Sequence, residues 1–190
     1  SLLLSLPLPV TAAQIIWLNL VTDGFLDVSL AMEPKDEGLL RQQWNERSKN
    51  LIDGLMLRRV LLFAVVMAFG TLVFLSQFDP TDRIRFSSLA LTVMAMFQWY
   101  NAWNSRSSIR SVFHQGMDSN KYLLAATTIV VLLQLVALNT PLMQRILHTE
   151  PLSASDWLLS LAVASAALWA EEIRKLVMRS HLRDSMNAPR

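Results

Sequence analysis

The chain has no cysteine, which excludes disulfide staples and thiolate metal sites. Its three histidines, His114, His148 and His181, are scattered without ligand spacing, so no imidazole metal site is read from them. Net charge is scarce too, at a formal +2. The basic residues form no aromatic-interleaved patch, so no nucleic-acid partner is expected. The first residues lack a basic leader and a small-residue cleavage site, and do not read as a signal peptide. They also lack an initiating Met and open inside an apolar run, as expected of a piece of a longer protein.

What is abundant is hydrophobicity. It marks 53% of the 190 residues and gives a mean hydropathy of +0.35, high for a soluble domain. The composition fits an all-α fold, a polytopic transmembrane helix bundle of about five spans. Residues 1–11 are expected to be the end of a preceding span and an external loop, turned by Pro7 and Pro9. Thr11 is placed to cap the next helix. Spans are expected at 12–34, 60–78, 86–104, 122–139 and 156–175, since about twenty apolar residues cross a hydrocarbon core of about 30 Å.

Loops are expected at 35–59, 79–85, 105–121 and 140–155, with a tail at 176–190. Residues 142–147 suit a short interfacial helix, and residues 109–113 an amphipathic one. Trp99, Tyr100 and Trp103 close the third span as an aromatic belt would. The last apolar run, 157–170, is short and needs helix on one side or the other to reach full thickness. Beyond Asp184 the tail is expected to lose order.

The basic residues set the sidedness. Lys35, Arg41, Arg47, Lys49, Arg58 and Arg59 lie in the first long loop, and Arg106, Arg110 and Lys121 in the second. Arg174, Lys175, Arg179, Arg183 and Arg190 lie towards the C-terminus. Only Arg83, Arg85 and Arg145 fall on the other side, so both long loops and the C-terminus are expected to be cytoplasmic.

The first span carries Asn19, Asp23 and Asp27 in its apolar part. Four residues apart, they fall near one helical face, drifting about 40° per step. An Asp at mid-membrane costs roughly 2.5–3.5 kcal/mol, so two ask for about 5–7 kcal/mol before any partner is found. A cation site inside a helix bundle is the default reading of such residues. Carboxylate, amide and hydroxyl oxygens are hard ligands, suited to Ca²⁺, Mg²⁺, Mn²⁺ or Na⁺. Gly24 marks a point where the helix can unwind and offer carbonyls to an ion. Glu171 and Glu172, beside Arg174 and Lys175, read as a solvated salt-bridge patch, and Asn101 and Asn104 as packing and capping groups.

Asn19-Leu20-Val21-Thr22-Asp23-Gly24, preceded by Gln14-Ile15-Ile16-Trp17 and followed by Glu33-Pro34, resembles the sixth transmembrane helix of P2-type P-type cation ATPases, the calcium-pump class. Asn101-Ala102-Trp103-Asn104-Ser105 resembles the end of their eighth helix, and Glu171-Glu172-Ile173-Arg174-Lys175 the end of their tenth. The resemblance covers nearly the whole chain and implies the C-terminal membrane portion of a larger pump. It implies that Asn19, Thr22 and Asp23 are metal ligands for the transported cation. Gln98 stands where two-site calcium pumps carry an acidic ligand. An amide there is either a weaker ligand, as in a one-ion design like that of plasma-membrane calcium pumps, or a hydrogen-bonding group between helices. Asp27 departs from the family pattern. It either extends the cation pathway or is solvated or salt-bridged.

The same resemblance implies Ca²⁺ as the transported ion, with Mn²⁺, Na⁺/K⁺ or another cation as alternatives. ATP and Mg²⁺ act through cytoplasmic domains that this chain lacks, since it has no Asp-Lys-Thr-Gly motif and its loops are too short to hold a nucleotide domain. The isolated chain is therefore expected to be inactive. Expected partners are the lipid bilayer and the N-terminal part of the same pump, in the plasma membrane. A stand-alone channel, an assembly subunit and a degenerate pump remnant are the other readings.

Overall fold

Thr11 starts the first helix by a reciprocal cap. Its hydroxyl accepts from the Gln14 N–H at 3.3 Å, and the Gln14 side-chain oxygen accepts from the Thr11 N–H at 2.9 Å, satisfying two donors that a helix start leaves orphaned. The computed structural model describes residues 9–33, 54–107, 110–116 and 119–187. The apolar start at 1–8, most of the 35–59 loop, Ile109 and residues 188–190 lie outside the described residues. Within them, every element is helical.

In chain order these are α1 (Ala12–Trp17), a π-helical segment (Leu18–Asp23), α2 (Gly24–Ala31), α3 (Gly54–Leu75), α4 (Arg83–Ser105), α5 (Val112–Gln115), α6 (Lys121–Asn139), α7 (Pro141–Leu147) and α8 (Ala154–Asn187). Proline at the start of α7 loses nothing, because the first N–H groups of a helix have no partner there. Helix α8 extends beyond the last apolar run at both ends. It remains helical to Asn187, where loss of order past residue 184 was expected.

Helix α4 is the hub, packed against α2, α3, α6, α8 and the π segment. Leu89, Ala90, Leu91, Val93, Ala95, Met96 and Phe97 are all buried whichever way they face, as in a helix enclosed by others. This overturns the aromatic belt. Trp99 and Trp103 are buried in the core, and the Trp103 indole donates to the Thr127 hydroxyl at 3.1 Å. The sequence places an aromatic cluster at a helix end, but enclosure by neighbouring helices puts it inside.

Helix α3 packs against α4 at Gly70, where an added Cβ would lie 2.8 Å from the tip of the buried Phe97 ring and 3.7 Å from Val163 on α8. Gly70→Val is expected to overpack this contact and cost about 1–3 kcal/mol, read as a lower thermal midpoint of the purified full-length protein. An unchanged midpoint would show that α3 yields there.

Two helices, residues 56–75 of α3 and all of α6, are long and apolar enough to cross a membrane by length and composition. The others differ in ways the sequence explains. The first helix is divided by the π segment and holds two aspartates. Helix α4 begins with two arginines, and α8 brackets its apolar run with Asp156 and Glu171. Exposed Val65 and Phe69 on α3, Leu132 on α6 and Leu158 on α8 give the molecule a broad apolar exterior.

Charged side chains close both ends of the bundle. At one end Arg85 meets Asp156 at 3.3 Å, and the Gln14 amide donates to the Leu147 carbonyl at 2.9 Å. At the other, Arg59 meets Glu171 at 2.9 Å and donates to the Asn104 carbonyl at 3.0 Å. Lys175 donates to that same carbonyl at 3.3 Å, and Glu172 accepts from the Val112 N–H at 3.0 Å. Glu171, Glu172 and Lys175 are all buried, so the patch expected to be solvated is enclosed. The reason is that α8 does not end there: these residues are mid-helix and face the ends of α3 and α4.

Candidate cation site

The Asn-Leu-Val-Thr-Asp run of the sequence forms the π segment itself. The Gly24 N–H reaches back five residues to the Asn19 carbonyl, where an α-helix would reach four. Such widened turns are rare and are frequently found at functional sites. The helix therefore does not unwind at Gly24. Gly24 keeps ordinary right-handed helical angles, φ −56° and ψ −48°. With more than four residues per turn, the step from Asn19 to Asp23 falls short of a full turn instead of overshooting it, which shifts both side chains relative to an α-helical reading.

Thr22 and Leu18 are buried. Asp23 is half-buried, while Asn19, and Asp27 in the first turn of α2, are exposed. Gln98 lies half-buried on α4, a helix that packs against the π segment. Among the described residues, none of these five side chains makes a hydrogen bond or ion pair, and no group of three or more acidic or histidine side chains is arranged around a metal. Thr22 and Asp23 thus stand adjacent to the bundle core, and Asn19 and Asp27 on its open face. Their oxygens are unspent, which is what a hard cation requires of its ligands.

Both ends of this helix are fastened by residues the sequence reading left unassigned. Upstream, the Trp17 indole donates to Gln134 Oε1 on α6 at 3.2 Å, and Gln134 Nε2 donates to the Thr92 hydroxyl on α4 at 3.3 Å. Downstream, Asn120 donates to the Ser29 carbonyl at 3.3 Å and to the Glu33 carboxylate. Arg106 closes on Glu33 at 2.9 Å, donates to the Gly116 carbonyl at 3.0 Å and to Ser119, and lies 5.4 Å from the Trp103 ring centre. Gln134 had a visible signal, as the one amide within the apolar run from Tyr122 to Leu138. Arg106 had none beyond its charge.

Residues 7–177 match the family described as "Cation transporting ATPase, C-terminus". The chain belongs to that family. It is 31% identical to "Calcium-transporting ATPase type 2C member 1" of Mus musculus over 188 residues, 98% of this chain and 20% of the relative. Against the Homo sapiens protein of the same name it is 31% identical over 180 residues, 94% of this chain and 20% of the relative. Against "Calcium-transporting ATPase 1" of Saccharomyces cerevisiae it is 30% identical over 177 residues, 92% and 19%. The chain thus spans about a fifth of the length of these relatives. The resemblance drawn from the Asn-Leu-Val-Thr-Asp-Gly run is borne out, and in this family member all of that run but Gly24 lies in the π segment.

Proposed function

We propose that this chain is the membrane translocation part of an ATP-driven cation pump that moves Ca²⁺. Asn19, Thr22 and Asp23 are its ligands, Gln98 and Asp27 contribute beside them, and the site is completed by parts of the pump outside this chain. The observation that carries the reading is the placement of these oxygens: three of them on one widened turn, unpaired within the described residues. Keeping two aspartates in such a helix costs several kcal/mol without a ligand. The calcium-transporting relatives favour Ca²⁺ among the hard cations.

Five spans follow from the same reading: α1 with the π segment and α2, then α3, α4, α6 and α8. Arg59, Arg106, Arg174 and Lys175 gather at one end of the bundle, which the excess of basic residues makes the cytoplasmic one, together with the C-terminus. The integral membrane protein resides in the cell's plasma membrane. ATP and Mg²⁺ act through the cytoplasmic domains of the same pump, and this chain alone hydrolyses no ATP.

The test is ATPase activity of the full-length pump with Ca²⁺, Mn²⁺, Na⁺ and K⁺ compared. Stimulation by Ca²⁺ is the expected result. Stimulation by Mn²⁺ but not Ca²⁺ would change the substrate within the same ligand chemistry, and stimulation by Na⁺ or K⁺ alone would overturn the divalent reading.

A further inference from the structure

The chain of hydrogen bonds that ends on Trp17 touches no ion ligand, yet it fastens the residue just before the π segment. Its directions are fixed. An indole only donates, so Gln134 must present Oε1 to Trp17 and Nε2 to Thr92. The Thr92 hydroxyl, having accepted, donates to the Ser88 carbonyl at 2.8 Å. The Ser88 hydroxyl donates to the Ile84 carbonyl at 2.8 Å and accepts from the Glu150 N–H at 2.9 Å. Gln134, Thr92 and Ser88 are 1%, 0% and 0% exposed, so water does not take the place of a lost partner.

A π turn is an α-helix holding an extra residue between two fixed points. If one point lets go, the turn can tighten to α. Every residue beyond it then rotates by one residue's worth, about 100°. The downstream point is held by Asn120 and Arg106. Upstream, Gln14 ties the start of α1 to the Leu147 carbonyl, and Gln134 holds its last residue through the Trp17 indole.

We propose that Gln134 is a positioning residue for cation binding: by holding Trp17 it keeps the π segment wide and so sets the directions of Asn19, Thr22 and Asp23. The inference rests on the reading of those three as cation ligands. Gln134 itself does not touch the ion.

The experiment measures Ca²⁺-dependent ATPase activity of the full-length pump for Trp17→Phe, Gln134→Leu and the double variant, with Asp23→Asn alongside. Each single variant is expected to raise the half-saturating Ca²⁺ by roughly three- to tenfold, the worth of one hydrogen bond, with the maximal rate kept. The double variant should be no worse than the worse single, because both remove the same bond. Unchanged half-saturation, a loss confined to the maximal rate, or effects that multiply in the double variant would each overturn the proposal. If Gln134→Leu fails to accumulate, Trp17→Phe decides alone, since it keeps the ring and removes only the donor. Asp23→Asn separates the two claims. If it leaves Ca²⁺ stimulation intact, the ligand reading itself fails. If it removes stimulation while Trp17→Phe behaves as wild type, the positioning role alone falls.

Discussion

Asp23→Asn is expected to raise the half-saturating Ca²⁺ of the full-length pump by at least about a hundredfold, roughly 2.7 kcal/mol, which at ordinary Ca²⁺ concentrations abolishes stimulated ATP hydrolysis. The substitution keeps the shape of the side chain and removes one charge. A divalent ion leaving water needs charged oxygens to replace its hydration, and Asp23 offers one next to buried Thr22. Asp27 is no replacement, because it is exposed one turn further on.

Stability should move the other way. With no partner among the described residues, the carboxylate is a burden in the ion-free state, so the thermal midpoint in chelator is expected to stay or rise. Loss of a functional residue with a gain in stability is the pattern of a site held against its own cost. A midpoint that falls together with the activity would instead make Asp23 a structural residue. Wild-type half-saturation would remove it from the site.

The sequence carried the all-helical fold and the family because both rest on local signals: apolar runs of spanning length, prolines and caps between them, and one run of six residues with unusual polarity. Thr11 does cap its helix, and a short helix does follow Thr140, for those local reasons. The π segment was not legible. Its composition is that of an α-helix, and the choice between a four- and a five-residue hydrogen bond is settled by how the two ends of the helix are anchored. One anchor is Gln134, 117 residues away from Trp17. The enclosure of Trp99 and Trp103 was hidden for a similar reason, since hydropathy gives a helix its membrane preference but not its place among other helices. Glu171 and Glu172 beside Arg174 and Lys175 look solvated in one dimension. Their i,i+3 pairs, Glu171 with Arg174 and Glu172 with Lys175, are local, but the arrival of Arg59 and the Asn104 carbonyl, which enclose the cluster, shows only in space.

Arg106 extends that argument to stability, and Arg106→Met should be the most destabilising single change at the end of the bundle where Arg59 and Lys175 also lie. Its side chain is 1% exposed and that of Glu33 25%, so the pair is enclosed on the arginine's side and partly wet on the other. Methionine keeps an apolar stem against Trp103 but leaves the Glu33 carboxylate, the Gly116 carbonyl and Ser119 without their shared donor. Breaking a buried pair from one side costs about 3–5 kcal/mol. The part-exposed glutamate should hold the loss near the lower figure, read as a lower thermal midpoint of the purified full-length pump. Glu33→Met together with Arg106→Met should recover much of that loss. Replacing both members of a buried pair by apolar groups is often close to neutral, whereas removing one strands a charge. A single variant with the wild-type midpoint would mean that the cluster is solvated and contributes little. A double variant as unstable as the single would mean that the arginine's hydrogen bonds to Gly116 and Ser119, and not its charge on Glu33, hold the end of α2 in place.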